Sequence, residues 1–144
     1  MNVGSLFAVS ASALQAQRMR MDLISGNLAN AQTTQTPGGG AYRRRDVVLE
    51  SMPLGESFAD LLSGDSPAEG VHVKNIVQDR RPPRRVYDPD HPHAGTEGFV
   101  EYPNVNIVAE MVDMMAATRA YEANVTAMNA TKRMVQAALE IGQG

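Results

Sequence analysis

The sequence predicts a mainly α protein with a small β insertion (α+β), in which long N- and C-terminal helices form a coiled coil. Apolar residues recur at every seventh position near the N-terminus, and they do so again near the C-terminus. The segment between these repeats is rich in Pro and Gly and carries short apolar runs that are typical of strands. A sevenfold repeat is typical of a helix that buries a narrow stripe against another helix.

The two repeats together define a predicted helical seam, which we expect to mediate assembly. Ser10 and Gln17 are polar positions in one N-terminal row, and Thr118 and Lys132 are polar positions in one C-terminal row. Such polar positions lower stability but can fix the alignment of packed helices. The predicted seam residues are Phe7, Leu14, Met21, Ile24, Leu28, Met111, Met114, Tyr121, Val125, Met128, Val135 and Leu139.

The first predicted helix covers residues 1 to about 31. Ser5 is a candidate N-cap, because a hydroxyl oxygen can accept a hydrogen bond from a free backbone N–H group of the first turn. Pro37 and the three glycines that follow it predict the end of the helix and the start of a loop.

The central segment predicts a few short strands separated by turns. We expect strands at residues 42–50, 71–77 and 99–102. The adjacent prolines of the RRPPRR string exclude a helix and predict an extended segment over residues 80–85. Phe58, Leu61 and Leu62 form an apolar cluster to which the sequence assigns neither helix nor strand. We also predict a turn over residues 64–70 and a polar loop over residues 88–98.

The second long helix is expected to run from a cap at Asn104 or Asn106 to about residue 141, with Gly142 as its C-terminal stop. The chain therefore divides into three predicted parts. Residues 1–33 form the N-terminal coiled-coil helix, residues 34–103 form an outer loop and β-rich domain, and residues 104–144 form the C-terminal coiled-coil helix.

Composition argues against several classes of function. The net charge of −3 gives no reason to expect a nucleic-acid partner, and the chain has no Cys for disulfides or thiol chemistry. No apolar run approaches the roughly 20 residues needed to cross a bilayer, so we expect no membrane insertion. The N-terminus lacks the basic start of a secretory signal, which predicts a cytoplasmic protein or export by a machine that reads another signal.

Two clusters of polar side chains are candidate sites. His91 and His93 could chelate a metal, but a third nitrogen ligand is not obvious and the neighbouring prolines explain a rigid turn. We therefore predict no metal and no cofactor. The basic groups at residues 43–45 and 80–85 are expected to pair with carboxylates of this or a neighbouring subunit. No nucleophile and base occur in a recognisable arrangement, which favours a protein that is not an enzyme.

Three strings resemble the bacterial flagellar rod and hook family, and in particular its short proximal-rod members. They are NLANA at residues 27–31, YPNVN at residues 102–106 and RAYEAN at residues 119–124. The longer segment at residues 34–41 before Tyr42 also suits the proximal-rod members. The family-motif residues are Asn27, Ala29, Asn30, Tyr102, Pro103, Asn104, Asn106, Arg119, Tyr121 and Asn124.

This resemblance implies a structural subunit of the proximal rod, the shaft that carries motor torque through the periplasm. It implies export through the flagellar type III apparatus and assembly with copies of itself and with other rod proteins. The amides of Asn27, Asn30 and Asn124 could cap helix ends or bridge between helices, and both readings stay open. The alternatives are another axial subunit of the distal-rod or hook type, and a small metal-binding module at His91 and His93.

Overall fold

The computed structural model describes residues 3–54 and 68–142. Its elements, in chain order, are helix α1 (Val3–Ala29), strands β1 (Arg45–Leu54), β2 (Ala68–Gln78), β3 (Arg84–Tyr87) and β4 (Phe99–Tyr102), and helix α2 (Ile107–Gly142). The predicted α+β class, with one long helix at each end and β structure between them, is confirmed. Neither helix of the described residues combines the length and hydropathy that a membrane-spanning helix needs.

The two helices pack side by side and run antiparallel. Asn27 on α1 contacts Glu110 on α2, and the Met21 sulfur accepts a hydrogen bond from the Thr118 hydroxyl at 3.7 Å. A step back along α1 thus matches a step forward along α2. α2 is the longer helix, with 36 residues against 27, and it extends beyond the start of α1.

The two helices differ in whether their first residues agree with the predicted N-caps. Ser5 lies inside α1, which already begins at Val3, so its assignment as the N-cap was wrong. Asn106 caps α2, because its side-chain oxygen accepts hydrogen bonds from Val108 N at 3.0 Å and Ala109 N at 3.2 Å. Of the two candidate caps for this helix, Asn106 is therefore the correct one.

The first helix ends close to residue 31, as predicted, and before Pro37. α1 stops at Ala29, and the next residues form turns in which Asn30 N bonds to Gly26 O and Thr33 N bonds to Asn30 O. The loop that follows is closed by Thr36, whose backbone N–H donates to Gly40 O at 2.9 Å. Gly39 and Gly40 have positive φ angles there, which glycine adopts without a steric penalty.

Strands β1 and β2 form an antiparallel hairpin that packs on α1. β1 begins three residues later and ends four residues later than the strand predicted at residues 42–50, so residues 42–44 were wrongly assigned to it. β2 extends beyond its predicted bounds at both ends, and Ala68–Gly70, expected in a turn, belong to it. The Ser12 hydroxyl of α1 accepts a hydrogen bond from Val71 N at 3.1 Å. A Cβ atom at Gly70 would come within 2.9 Å of the Ser12 oxygen, so a glycine is needed for this close approach. The predicted apolar cluster at Phe58, Leu61 and Leu62, and residues 64–67 of the predicted turn, lie outside the described residues.

A second small sheet joins the extended segment to the third predicted strand. β4 occupies residues 99–102 as predicted, and it pairs antiparallel with β3, which was anticipated only in part as an extended segment. Val100 is buried, and the Tyr87 and Phe99 rings contact edge to face at 5.3 Å. The polar loop over residues 88–98 is confirmed and is closed by a hydrogen bond from Asp88 N to Gly98 O.

Candidate functional site: a buried polar junction between the helices

Asn27 is the centre of the most completely bonded polar cluster in the described chain. The side chain is fully buried, and its oxygen accepts hydrogen bonds from Tyr42 OH at 3.0 Å and Arg45 N at 2.9 Å. Its amide nitrogen donates to Arg45 O at 2.8 Å and to Glu110 Oε2 at 3.0 Å. One amide therefore joins the end of α1 to the start of β1 and to the first turn of α2. We call Asn27, Tyr42, Arg44, Arg45 and Glu110 the polar junction.

Glu110 is the acidic group of the polar junction, and only 1% of its surface is exposed. Its second oxygen accepts a hydrogen bond from Arg44 Nε. Glu110 lies in the first turn of α2, where free backbone N–H groups and the helix dipole favour a negative charge. A carboxylate that is buried without partners would be costly, and Asn27 and Arg44 together supply the partners it needs.

Arg44 connects the polar junction to the surface. Its Nη1 donates to Asp46 at 2.9 Å, and its Nη2 lies 3.8 Å from Asp113. Burial alone would lower the pKa of Arg44, but the hydrogen bonds to Asp46 and Glu110 raise this pKa above its ordinary value. Burial also raises the pKa of the Tyr42 hydroxyl, which therefore stays protonated and able to donate to Asn27.

The hydrogen bonds of the polar junction hold α1, β1 and α2 in fixed relative positions. Every polar atom of the Asn27 amide is paired, and the Glu110 carboxylate is shielded from solvent. The junction holds no nucleophile beside a base, and the described residues contain no group of three His, Cys, Asp or Glu side chains that could hold a metal ion. A cluster of this kind rigidly joins three elements whose residues are distant in sequence.

The predicted seam residues fall into two groups by exposure in the single chain. Ile24 is buried, and all of the others except Met111 and Leu139 are half-buried in the single chain. Met111 and Leu139 are 53% and 61% exposed, whereas Glu110 and Ala117, which precede Met111 and Thr118 by one position, are buried. The seam as an assembly surface stays a prediction, because a single chain does not contain the neighbours that would cover it.

The family-motif asparagines take different roles. Asn27 bridges three elements, as described above, whereas Asn30 stays local and bonds to Gly26 O and to the Thr33 hydroxyl at the end of α1. The Asn124 amide donates to Ala120 O on its own helix. The bridging role therefore belongs to Asn27, and helix capping belongs to Asn30. Pro103 is buried, the Tyr102 and His91 rings meet edge to face at 6.1 Å, and Asn106 caps α2.

The two histidines of the alternative site form a compact turn. The His91 ring accepts a hydrogen bond from His93 N at 3.0 Å, and the two rings lie 5.3 Å apart. The His93 ring is hydrogen-bonded to the Thr34 hydroxyl at 2.8 Å, which ties this loop to the segment after α1.

The arginines of the basic segments are paired in part as expected. Arg81 binds the Asp79 carboxylate, Arg85 lies 3.5 Å from Glu97, and Arg44 binds Asp46 and Glu110. The hydrogen bonds from Arg81 lower the pKa of Asp79. Other members of these segments stack on rings instead: Arg84 lies over Tyr102, and Arg45 lies over Tyr42.

Sequence reasoning did not anticipate Glu110 and Arg44 as partners in one site. One signal was available for Glu110: it is an acidic residue one position before Met111 of the apolar repeat, and the same sevenfold spacing connects it to Ala117. An acid at a position that faces another helix requires a partner. Nothing in the spacing identified Arg44 as that partner, because 66 residues separate the two.

Comparison with known proteins defines the class first. Residues 7–35 match the family model described as flagella basal body rod protein, and residues 96–141 match the C-terminal model of flagellar basal body rod FlgEFG proteins. The two matched regions cover most of α1 and all but the last residue of α2. They therefore define a chain of the flagellar rod class at both of its ends.

Full-length relatives identify the family within that class. The chain is 51% identical to the flagellar basal-body rod protein FlgC of Bacillus subtilis, over 94% of this chain and 95% of that protein. It is 43% identical to FlgC of Borreliella burgdorferi over the whole of both chains, and 36% identical to FlgC of Salmonella typhimurium over 96% and 97%. The chain belongs to the FlgC family of flagellar basal-body rod proteins. It is accordingly a structural protein of the flagellar basal body, and the predicted resemblance is confirmed in preference to the metal-binding and distal-rod alternatives.

Proposed function

We propose that this chain is a subunit of the proximal rod that has no catalytic activity and whose paired helices pack lengthwise against neighbouring rod subunits. The chain would pass through the flagellar type III export apparatus and fold as it joins the rod. Many such helix contacts acting in parallel would resist torque, because close-packed protein interiors compress little.

One observation carries this proposal: the isolated chain leaves much of its apolar surface uncovered. Among the described residues only a few apolar side chains are buried, namely Ala16, Ile24, Ala31, Val100, Pro103 and Ala117. Large apolar side chains of α2 are exposed near both of its ends, from Ile107 to Met115 and from Met134 to Ile141. Narrow helices of this kind gain most of their stability from packing partners, and neighbouring subunits would supply them.

A coiled coil along the predicted seam is the finer part of the proposal. Phe7, Leu14 and Met21 on α1 and Met114, Tyr121 and Met128 on α2 are all half-buried in the single chain. Half-burial leaves room for a second helix to complete their packing. The seam would then serve both the contact within one chain and the contact between chains.

Aspartate substitution in the seam tests this role in the living cell. In a strain that lacks the native gene, Leu14→Asp or Val125→Asp should abolish rod assembly and swimming, because each places a charge where an apolar contact is required. Swimming and the recovery of hook–basal bodies are the measurements. Met52→Asp, on an exposed position of the hairpin, is the matched control and should swim normally. Normal swimming of the two seam variants would refute the seam assignment.

A further inference from the structure

The outward side of α2 carries an apolar patch followed by two charges. Val108, Met111, Val112 and Met115 are 53–70% exposed and recur at steps of three and four residues, so they lie on one side of the helix. Arg119 and Glu122 continue the same row and are also exposed. Together these six residues form the α2 outer face. Within the described chain nothing covers it.

α1 exposes a row of its own with the same spacing. Arg18, Asp22, Ser25 and Ala29 follow one another at steps of four, three and four residues, and all four are exposed. We call them the α1 outer row. None of Arg18, Asp22, Arg119 and Glu122 forms an ion pair with another residue of the described chain. The small side chains of Ser25 and Ala29 would allow another helix to approach closely.

We propose that the α2 outer face binds the α1 outer row of a second copy of this chain, and this inference rests on the rod-subunit function proposed above. In a polar assembly all copies point the same way, so α2 of one copy meets α1 of the next in an antiparallel arrangement. In that arrangement Arg119 pairs with Asp22 and Glu122 pairs with Arg18, because three residues forward on α2 match four residues back on α1. Met115 then lies opposite Ser25, and Val112 lies opposite Ala29.

The charge pairing also sets the relative height of the two copies. Within one chain Met21 is level with Thr118. In the proposed contact Asp22 is level with Arg119, so the second copy is displaced by only two residues, or about 3 Å. Such copies lie side by side rather than end to end. Because two different surfaces meet, each copy keeps one surface free for a further copy, and the contact can continue from copy to copy.

Cysteine crosslinking tests the arrangement directly, because the chain has no native Cys. Two full-length chains, one with Ser25→Cys and the other with Met115→Cys, are expressed together in flagellated cells that lack the native gene. Mild oxidation of isolated basal bodies should convert up to about half of the incorporated chains into crosslinked dimers, because random incorporation gives each chain the matching neighbour about half of the time. Placing the two cysteines on separate chains ensures that each dimer joins two copies.

The matched control combines Ala11→Cys with Met115→Cys. The proposed arrangement separates these positions by 14 residues along the helix axis, or roughly 21 Å, whereas parallel helices with Glu122 level with Arg18 would bring them together. Dimers from the first pair and not from the control support the proposal. Dimers from the control pair would overturn the proposed contact. The absence of dimers from both pairs, in basal bodies that contain the chain, would overturn it as well, and in both cases the rod-subunit function stands. If the wild-type chain is absent from isolated basal bodies, the proposed rod-subunit function is overturned too.

Exchange of charges supplies a second readout that leaves the net charge of the chain unchanged. The variant Arg18→Glu with Asp22→Arg turns both pairs into like charges, and so does Arg119→Glu with Glu122→Arg. Each exchange should reduce swimming, and all four substitutions together should restore it. The urea midpoint of each purified chain should match the wild type, because all four side chains are exposed. A fourfold variant that swims no better than the two exchanges would contradict the proposed pairing.

Discussion

The two ends of the helix pair differ sharply in how many side chains a single copy of the chain buries there. At the junction end, α1 contributes the buried Ile24 and Asn27, and α2 contributes the buried Glu110 and Ala117, whereas Ala16 marks the limit of this buried region on α1. At the opposite end, over residues 4–15 and 118–142, none of the described side chains is buried. We call this second region the free end. One end of the molecule therefore carries its own interior, and the other end has yet to acquire one.

The difference teaches how a small chain can be both specific and ready to assemble. The polar junction fixes the angle at which the helices leave the β structure, since Asn27 and Glu110 accept few alternative geometries once buried. The free end keeps large apolar side chains such as Met134 and Ile141 exposed. Neighbouring subunits can cover these side chains without disturbing the junction.

The largest contrast should come from equivalent truncations at the two ends. Ile24→Ala, at a position that is 4% exposed, should lower the free energy of unfolding by roughly 2–5 kcal/mol, because it leaves a cavity at the junction end. Leu139→Ala, at the exposed free end, should change it by about 0.5 kcal/mol or less. Urea denaturation of the purified chains measures both. Similar losses at the two positions would remove the distinction between the ends.

Much of this architecture is predictable from the chain alone. The sevenfold repeats predict both long helices, and the short apolar runs at residues 47–49 and 71–77 predict the two strands that the structure pairs as β1 and β2, because periodicity reports which local conformation can bury one side. Asn106 is identifiable as a cap for a similar reason, since its role depends on residues two and three positions away.

The polar junction is less predictable because its partners are distant in sequence. Asn27 and Glu110 are 83 residues apart, and only the folded chain brings them together. The end of α1, predicted at about residue 31 and found at Ala29, is local by contrast, because the Asn30 amide bonds back to Gly26 O four positions earlier. Ser5 was misassigned because the cap pattern is short and also occurs inside helices.

A second test asks whether the junction end depends on its polar cluster as well as on its apolar core. Asn27→Ala should lower the free energy of unfolding by roughly 2–4 kcal/mol, because it deprives Glu110, Tyr42 and both backbone groups of Arg45 of a buried partner. Asn30→Ala is the matched control. It removes two local hydrogen bonds in a partly exposed turn and should cost about 1 kcal/mol. Equal losses would mean that the bridge adds nothing to an ordinary helix end.

The smallest effect is expected where an ion pair lies outside both ends of the helix pair. The hydrogen bonds from Arg81 lower the pKa of Asp79 below its ordinary value of 3.8, so the folded chain favours the charged carboxylate. The stabilisation from this pair is therefore present above about pH 4 and is lost as the pH falls from there through the lower pKa of Asp79 in the folded chain.

Asp79→Asn should flatten this part of the pH dependence of the urea midpoint, and Arg81→Gln should do the same because it removes the other partner. Since Arg81 is exposed and the pair is local, with one residue between its members, both shifts should be small beside those at Ile24 and Asn27. An acid response that is identical in the wild type and both variants would show that the pair contributes nothing to the fold, and that stability is concentrated still more completely at the junction end.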